Sequence, residues 1–173
     1  MGTKFTYALI LSISGAVLNL LLYFTGFQTE KLAVGQHLNW IGFVVMVVVL
    51  VLGIKATREE APDKSLSYGK GVGTGVLISL YSGLMSAVYT FIHFKFINTD
   101  FADYQMELVR AKWEQAGMSA DQMEKAEGMA RAMMGPVASA IMTPIMVVFF
   151  GLILSLIISI FLKRPAPDAP PAI

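Results

Sequence analysis

The chain has 173 residues, 55% of them hydrophobic and only 14% charged, with a formal net charge of +1 and a mean hydropathy of +0.64. A soluble domain carries about 25% charged residues, so this is a membrane composition; the near-neutral balance, with no basic run, weighs against nucleic acid, and no nucleic-acid partner is expected. With no cysteine, disulfides, thiolate metal sites, Fe–S ligation and cysteine nucleophiles are excluded.

Four stretches are long and apolar enough to cross a bilayer: Tyr7–Phe27, Leu38–Ile54, Gly71–Phe96 and Val137–Leu162. About 20 apolar residues in a helix cross a hydrocarbon core about 30 Å thick. In lipid only a helix pairs its backbone N–H and C=O groups within one segment. The expected fold is therefore all-α, a four-transmembrane-helix bundle in one integral membrane domain over residues 1–164, with a Pro-rich tail at 165–173.

Span one follows Lys4, as a signal peptide follows its basic start. Its apolar run exceeds the roughly 7–15 residues of a signal core, and no A-x-A-like site lies at Gln28-Thr29-Glu30, so it is read as retained. It carries Ser12, Ser14 and Tyr23, and Asn19 near its middle is the costliest of these to bury unpaired. Span two, preceded by His37, has a core of Val, Leu and one Met from Val44 to Leu52.

Span three carries the clearest pattern. Ser67, Gly71, Gly75, Ser79, Gly83 and Ala87 recur every four residues, nearly on one helix face. Gly69 and Gly73 add a second register. Between helices in lipid, close backbone approach over such a groove supplies dispersion and Cα–H···O contacts that burial of apolar surface does not. The groove is expected to seat another helix, from this bundle, from a second copy or from a partner. Gly69-Lys70-Gly71-Val72-Gly73 is not a phosphate loop, since it follows no strand and lacks Gly-Lys-Ser/Thr. The span's polar residues are Ser82, Ser86, Tyr89 and His93.

Between spans three and four, Phe101, Tyr104, Leu108 and Ala111 recur at helical spacing, and Met123, Ala126, Ala130 and Met133 do so again. Ser119 and Gln122 form a capping box. Two amphipathic extramembrane helices are expected, about 99–116 and 119–134, with seven acids against four bases. They are read as lying on the span ends or the membrane plane, with a partner-docking surface as the other reading; the acidic balance argues against direct binding of anionic lipid. Pro136 can start span four. Within it, Pro144 cannot donate to the Ala140 carbonyl and is expected to kink the helix; Ser139 and Thr143 lie beside it.

Cations near the span ends set orientation. Lys55, Arg58, Lys64 and Lys70 crowd the second loop, against Lys31 alone in the first. Both termini are therefore expected in the cytoplasm and residues 97–135 outside. Asn19, Tyr23, Tyr89, His93 and Thr143 then share the outer half of the membrane. They are expected either to bond between helices or to line a polar pocket. No acid or base lies deep in a span, which weighs against a proton-coupled transporter. His37 and His93 could ligate haem or a metal from two helices, but no carboxylate accompanies them; no metal and no cofactor are expected. G-x-S-x-G, H-E-x-x-H and paired intramembrane carboxylates are all missing, so the chain is not expected to be an enzyme.

The whole pattern resembles a family of bacterial membrane proteins, domain of unknown function four-one-nine-nine. The resemblance runs from Phe5 to Arg164. It rests on Gly53-Ile54-Lys55, Ser67-Tyr68-Gly69-Lys70-Gly71, Phe94-Lys95-Phe96-Ile97, the insert from Ala116 to Met123, Met142-Thr143-Pro144 and Ser155-Leu156-Ile157. It implies a bacterial inner-membrane location and no known activity. His93 stands where that family carries an aromatic, which tells against haem. The reading is a multi-pass inner-membrane protein, a non-enzymatic structural or accessory subunit acting through helix packing. Its expected partners are membrane lipids and a homo-oligomer or larger membrane complex. The alternative is a small-solute or lipid carrier using the outer-half pocket.

Overall fold

The computed structural model describes residues 2–166. The Pro-rich tail expected at 165–173 falls outside the described residues from 167 onward. In chain order the helices are α1 (Thr3–Phe24), α2 (Leu32–Glu59), α3 (Tyr68–Ile92), α4 (Phe101–Gln115), α5 (Ala120–Met134) and α6 (Pro136–Leu162), with a π-helical turn, His93–Ile97, closing α3. No strand occurs among the described residues. α1, α2, α3 with its π turn, and α6 are long and apolar enough to cross a membrane.

Helix ends follow turn and cap chemistry, and so differ from the limits of the apolar runs. α1 stops at Phe24, three residues early, because the chain turns at Gly26 with φ +81°, a conformation costly for residues with a Cβ. α2 overruns its apolar stretch at both ends and ends near Pro62. α3 begins at Tyr68, where the Ser67 hydroxyl accepts from the Lys70 N–H at 3.3 Å. Ser67 is thus an exposed N-cap, and the sequence reading that placed it in the groove is corrected. At α5, Gln122 N–H donates to Ser119 Oγ (3.4 Å) and Ser119 N–H to Gln122 Oε1 (2.9 Å).

The four long helices run up and down, and α3 packs most extensively against α6. The core holds Ala8 and Leu11 of α1, Met46, Val49, Leu50 and Ile54 of α2, Ile78 of α3, and Leu154 and Ile158 of α6. Along α3 and α6 the backbones nearly touch. A Cβ added at Gly71 would stand 2.7 Å from Ser159 Oγ, one at Gly75 2.7 Å from Ser155 Cβ, and one at Gly83 2.9 Å from Pro144 Cα. The approach is reciprocal, since a Cβ on Gly151 would collide with the Ser79 side chain. Gly69 and Gly73, the second register, face open space. α6 remains helical through Pro144.

At one end of the bundle, Thr3 Oγ1 donates to Glu60 Oε1 and the backbones of Leu66 and Arg164 exchange hydrogen bonds of 2.8 and 2.9 Å. At the other end α4 and α5 fold back on each other across Gly117 (φ +75°). Arg110 pairs with Glu127, and Arg131 with both Asp103 and Glu127. Met106 of α4, 1% exposed, anchors the pair, and α4 also touches α2.

Candidate functional site

At the α4 end of the bundle, polar side chains from α1, the α1–α2 loop and the end of α3 form one buried row. The loop makes it possible. After the turn at Gly26 the chain doubles back over the start of α2, so closely that a Cβ at Gly35 would overlap the Phe27 carbonyl. This fold-back points Gln28 inward, where it is 7% exposed. The π turn supplies the facing residues. Its closing bond runs from Asn98 N–H to the His93 carbonyl at 2.7 Å, and His93 and Asn98 are 0% and 3% exposed. Such turns insert an extra residue into a helix and recur at functional sites.

His93 Nε2 lies 2.9 Å from Gln28 Oε1, and His93 Nδ1 lies 3.2 Å from the Tyr89 hydroxyl. The same hydroxyl lies 3.3 Å from Asn19 Oδ1 and 3.2 Å from the Ala16 carbonyl. Asn98 Nδ2 donates to Gln28 Oε1 and to the Gln28 carbonyl, both at 3.4 Å. Tyr23 closes the side of the imidazole edge-on, with ring centroids 5.7 Å apart.

Proton counting fixes what this row can do. Gln28 Oε1 only accepts, so His93 Nε2 carries a hydrogen. A neutral His93 then accepts at Nδ1 from Tyr89, and Asn19 must offer its NH2 group to the phenol oxygen. A protonated His93 donates from Nδ1, and Tyr89 donates onward to Asn19 Oδ1. Protonation of His93 therefore reverses the direction of the row only if the Asn19 carboxamide also turns over, exchanging its Oδ1 and Nδ2. The row contains no carboxylate, thiol or paired base to activate a nucleophile.

Of the sequence-predicted pocket, the structure brings Asn19, Tyr23, Tyr89 and His93 together. Thr143 is elsewhere, a correction to the expected lining. Its hydroxyl donates to the Ser139 carbonyl at 2.8 Å and lies 3.3 Å from Thr90 Oγ1, on the α3–α6 seam. The α6 face carrying Thr143 turns toward α3, away from the α1–α2 loop. His37 is exposed, while both ring nitrogens of His93 have protein partners, so the two histidines do not form one ligand set. Among the described residues no group of three or more His, Asp or Glu is placed to hold a metal. Gln28 and Asn98 escaped the sequence reading because both lie outside the apolar runs; the signal that could have found them is an amide on each side of the Gly26 turn and the span-three end.

Beside the row lies a cavity of about 120 Å³. Asn19 and Leu22 of α1, Gln28 of the loop, Gln36 and Asn39 of α2, and Phe94, Phe101 and Gln105 form most of its wall. Phe94 and Phe101 stack at 4.3 Å. No charged side chain lines it.

A family model described as "Protein of unknown function (DUF4199)" matches residues 6–164. No curated protein matches the chain. No solved structure matches it either.

Proposed function

The chain belongs to the DUF4199 family of proteins of unknown function, and from that premise we propose a non-enzymatic membrane scaffold. Its four-helix bundle holds the α4–α5 hairpin outside the membrane as the surface offered to a larger complex. The observation that carries this reading is the closed interior. α3 and α6 meet at glycine-to-side-chain distance along their length, and the core between the spans is filled by apolar side chains together with the small buried hydroxyl residues Thr74, Ser79, Ser82, Ser155 and Ser159. A carrier needs a path through that layer. The small-residue groove serves here as the close-packing seam, and the ion pairs of the hairpin keep its two helices together.

The hairpin helices are 15 residues each, shorter than a span, and carry charges along their length, which favours their lying outside the bilayer. In the short loops, Lys55, Arg58, Lys64 and Lys70 collect at the opposite end of the bundle, against Lys31 alone at the hairpin end. That asymmetry supports cytoplasmic termini in a bacterial inner membrane. The test is native electrophoresis of membranes extracted in mild detergent at natural abundance. Wild type should migrate as a defined species larger than the monomer. Charge reversal at Arg110 and Arg131 should release the monomer while leaving the bundle's thermal transition in place. A monomer in both would remove the scaffold reading.

A further inference from the structure

The amide-lined cavity carries an inference beyond the scaffold reading and independent of it. Five carboxamides face one space: Asn19, Gln28, Gln36, Asn39 and Gln105. Gln28 is the telling member. It is more than nine-tenths buried, and its Oε1 is saturated by His93 and Asn98. Its Nε2 makes no hydrogen bond among the described residues, and the residue lines the cavity. The side chains of Gln36, Asn39 and Gln105 likewise make none among the described residues. Gln28 is buried, Asn19, Gln36 and Gln105 are half-buried and Asn39 is exposed, so the wall offers an entering molecule donors and acceptors that the protein itself leaves unused.

The chemistry of the wall narrows that partner. A charge would enter without a counter-ion and meet a desolvation cost that dipoles alone do not offset. A purely apolar molecule would leave the amides unpaired. Stacked Phe94 and Phe101 offer a flat apolar side, and carboxamides offer paired donors and acceptors. An engineered apolar cavity of about 150 Å³ holds a benzene-sized molecule, so this space takes something somewhat smaller. We infer that the cavity is a binding site for a small, planar, uncharged molecule of the carboxamide or urea class, bound through Gln28 and Gln36. Below it the row from Gln28 to Asn19 and the packed core close the way, so the site binds without conducting.

The test uses the full chain in nanodiscs with acetamide as the probe. Saturation-transfer NMR is recorded with acetamide and with acetate, at up to about 100 mM because tiny ligands bind weakly. Acetamide should give a saturable signal and acetate none. Gln28→Leu and Gln36→Leu should each reduce the acetamide signal at least about tenfold, a factor matching loss of one well-made hydrogen bond. Gln122→Leu, on α5 and away from the cavity, should leave it unchanged. Gln36→Leu stands outside the His93 row and carries the test if Gln28→Leu fails to fold. No saturable acetamide signal in wild type would show that the cavity holds water only. An equal signal in wild type and Gln36→Leu, or equal signals from acetamide and acetate, would also overturn the assignment.

Discussion

Gly83 and Pro144, 61 positions apart in the sequence, face each other so closely that a methyl group on the glycine would stand 2.9 Å from the proline Cα. Each residue explains the other. Proline lacks the N–H that would close the bond to Ala140, and glycine alone leaves room for its ring-bearing backbone. The α3–α6 seam is tightest at backbone level here, because neither partner has a side chain that can rotate away.

This contact separates two glycines by substitution. Gly83→Ala should destabilise the bundle by about 1–3 kcal/mol, the usual range for overpacking. Gly73→Ala meets nothing within 4 Å and should be neutral or stabilising by up to about 1 kcal/mol, through helix propensity. Thermal unfolding of both variants in detergent checks this. Equal transitions would mean that the seam is not a close contact in the folded protein.

The buried row should show strong coupling. Tyr89→Phe strips the hydroxyl from between Asn19 and His93 and should cost about 1–3 kcal/mol, the penalty for leaving buried partners unsatisfied. Asn19→Leu in that background should cost markedly less than Asn19→Leu alone, since residues sharing one network are non-additive. A double-mutant cycle reads the difference, and strict additivity would mean that the two side chains do not share a bond.

Acid should loosen the hairpin before the bundle. Hydrogen bonds from Arg110, then Arg131, hold the Glu127 carboxyl below its ordinary 4.5. A lowered folded pKa contributes stability that is present above the unfolded value and lost as pH falls through the folded one. Hydrogen exchange in α4 and α5 should therefore accelerate as the pH falls below the ordinary glutamate value, while α3 and α6 stay protected. Glu127→Gln should remove the transition. A Glu127→Gln hairpin with unchanged acid sensitivity would assign the effect to other groups.

Orientation is checked with fusions. A reporter active only on the outer side, placed after Gly117, should be active, and one placed after Arg164 silent. The opposite pattern would invert the cation-based assignment.

Much of this protein is local. The spans follow from apolar runs whose backbone can be satisfied in lipid only as helix, and the Ser119–Gln122 capping box follows from two side chains reaching back over one turn. The four-residue stripe of α3 needs no more than helical periodicity to be seen. What the stripe packs against needs the tertiary structure: Ser155, Ser159 and Pro144 are met only because α6 lies beside α3. The Ser67 cap is another local bond, to the Lys70 N–H three residues on, whereas tertiary structure moved Thr143 from the pocket to the seam. It brought Gln28 and Asn98, two unremarkable loop amides, onto the nitrogen and carbonyl atoms of one buried site. The reason is range. A helix is fixed by bonds four residues apart, which a sequence displays. The bond between His93 and Gln28 spans 65 residues. It exists only once the chain has turned at Gly26, pressed Phe27 against Gly35 and set α1 beside α3.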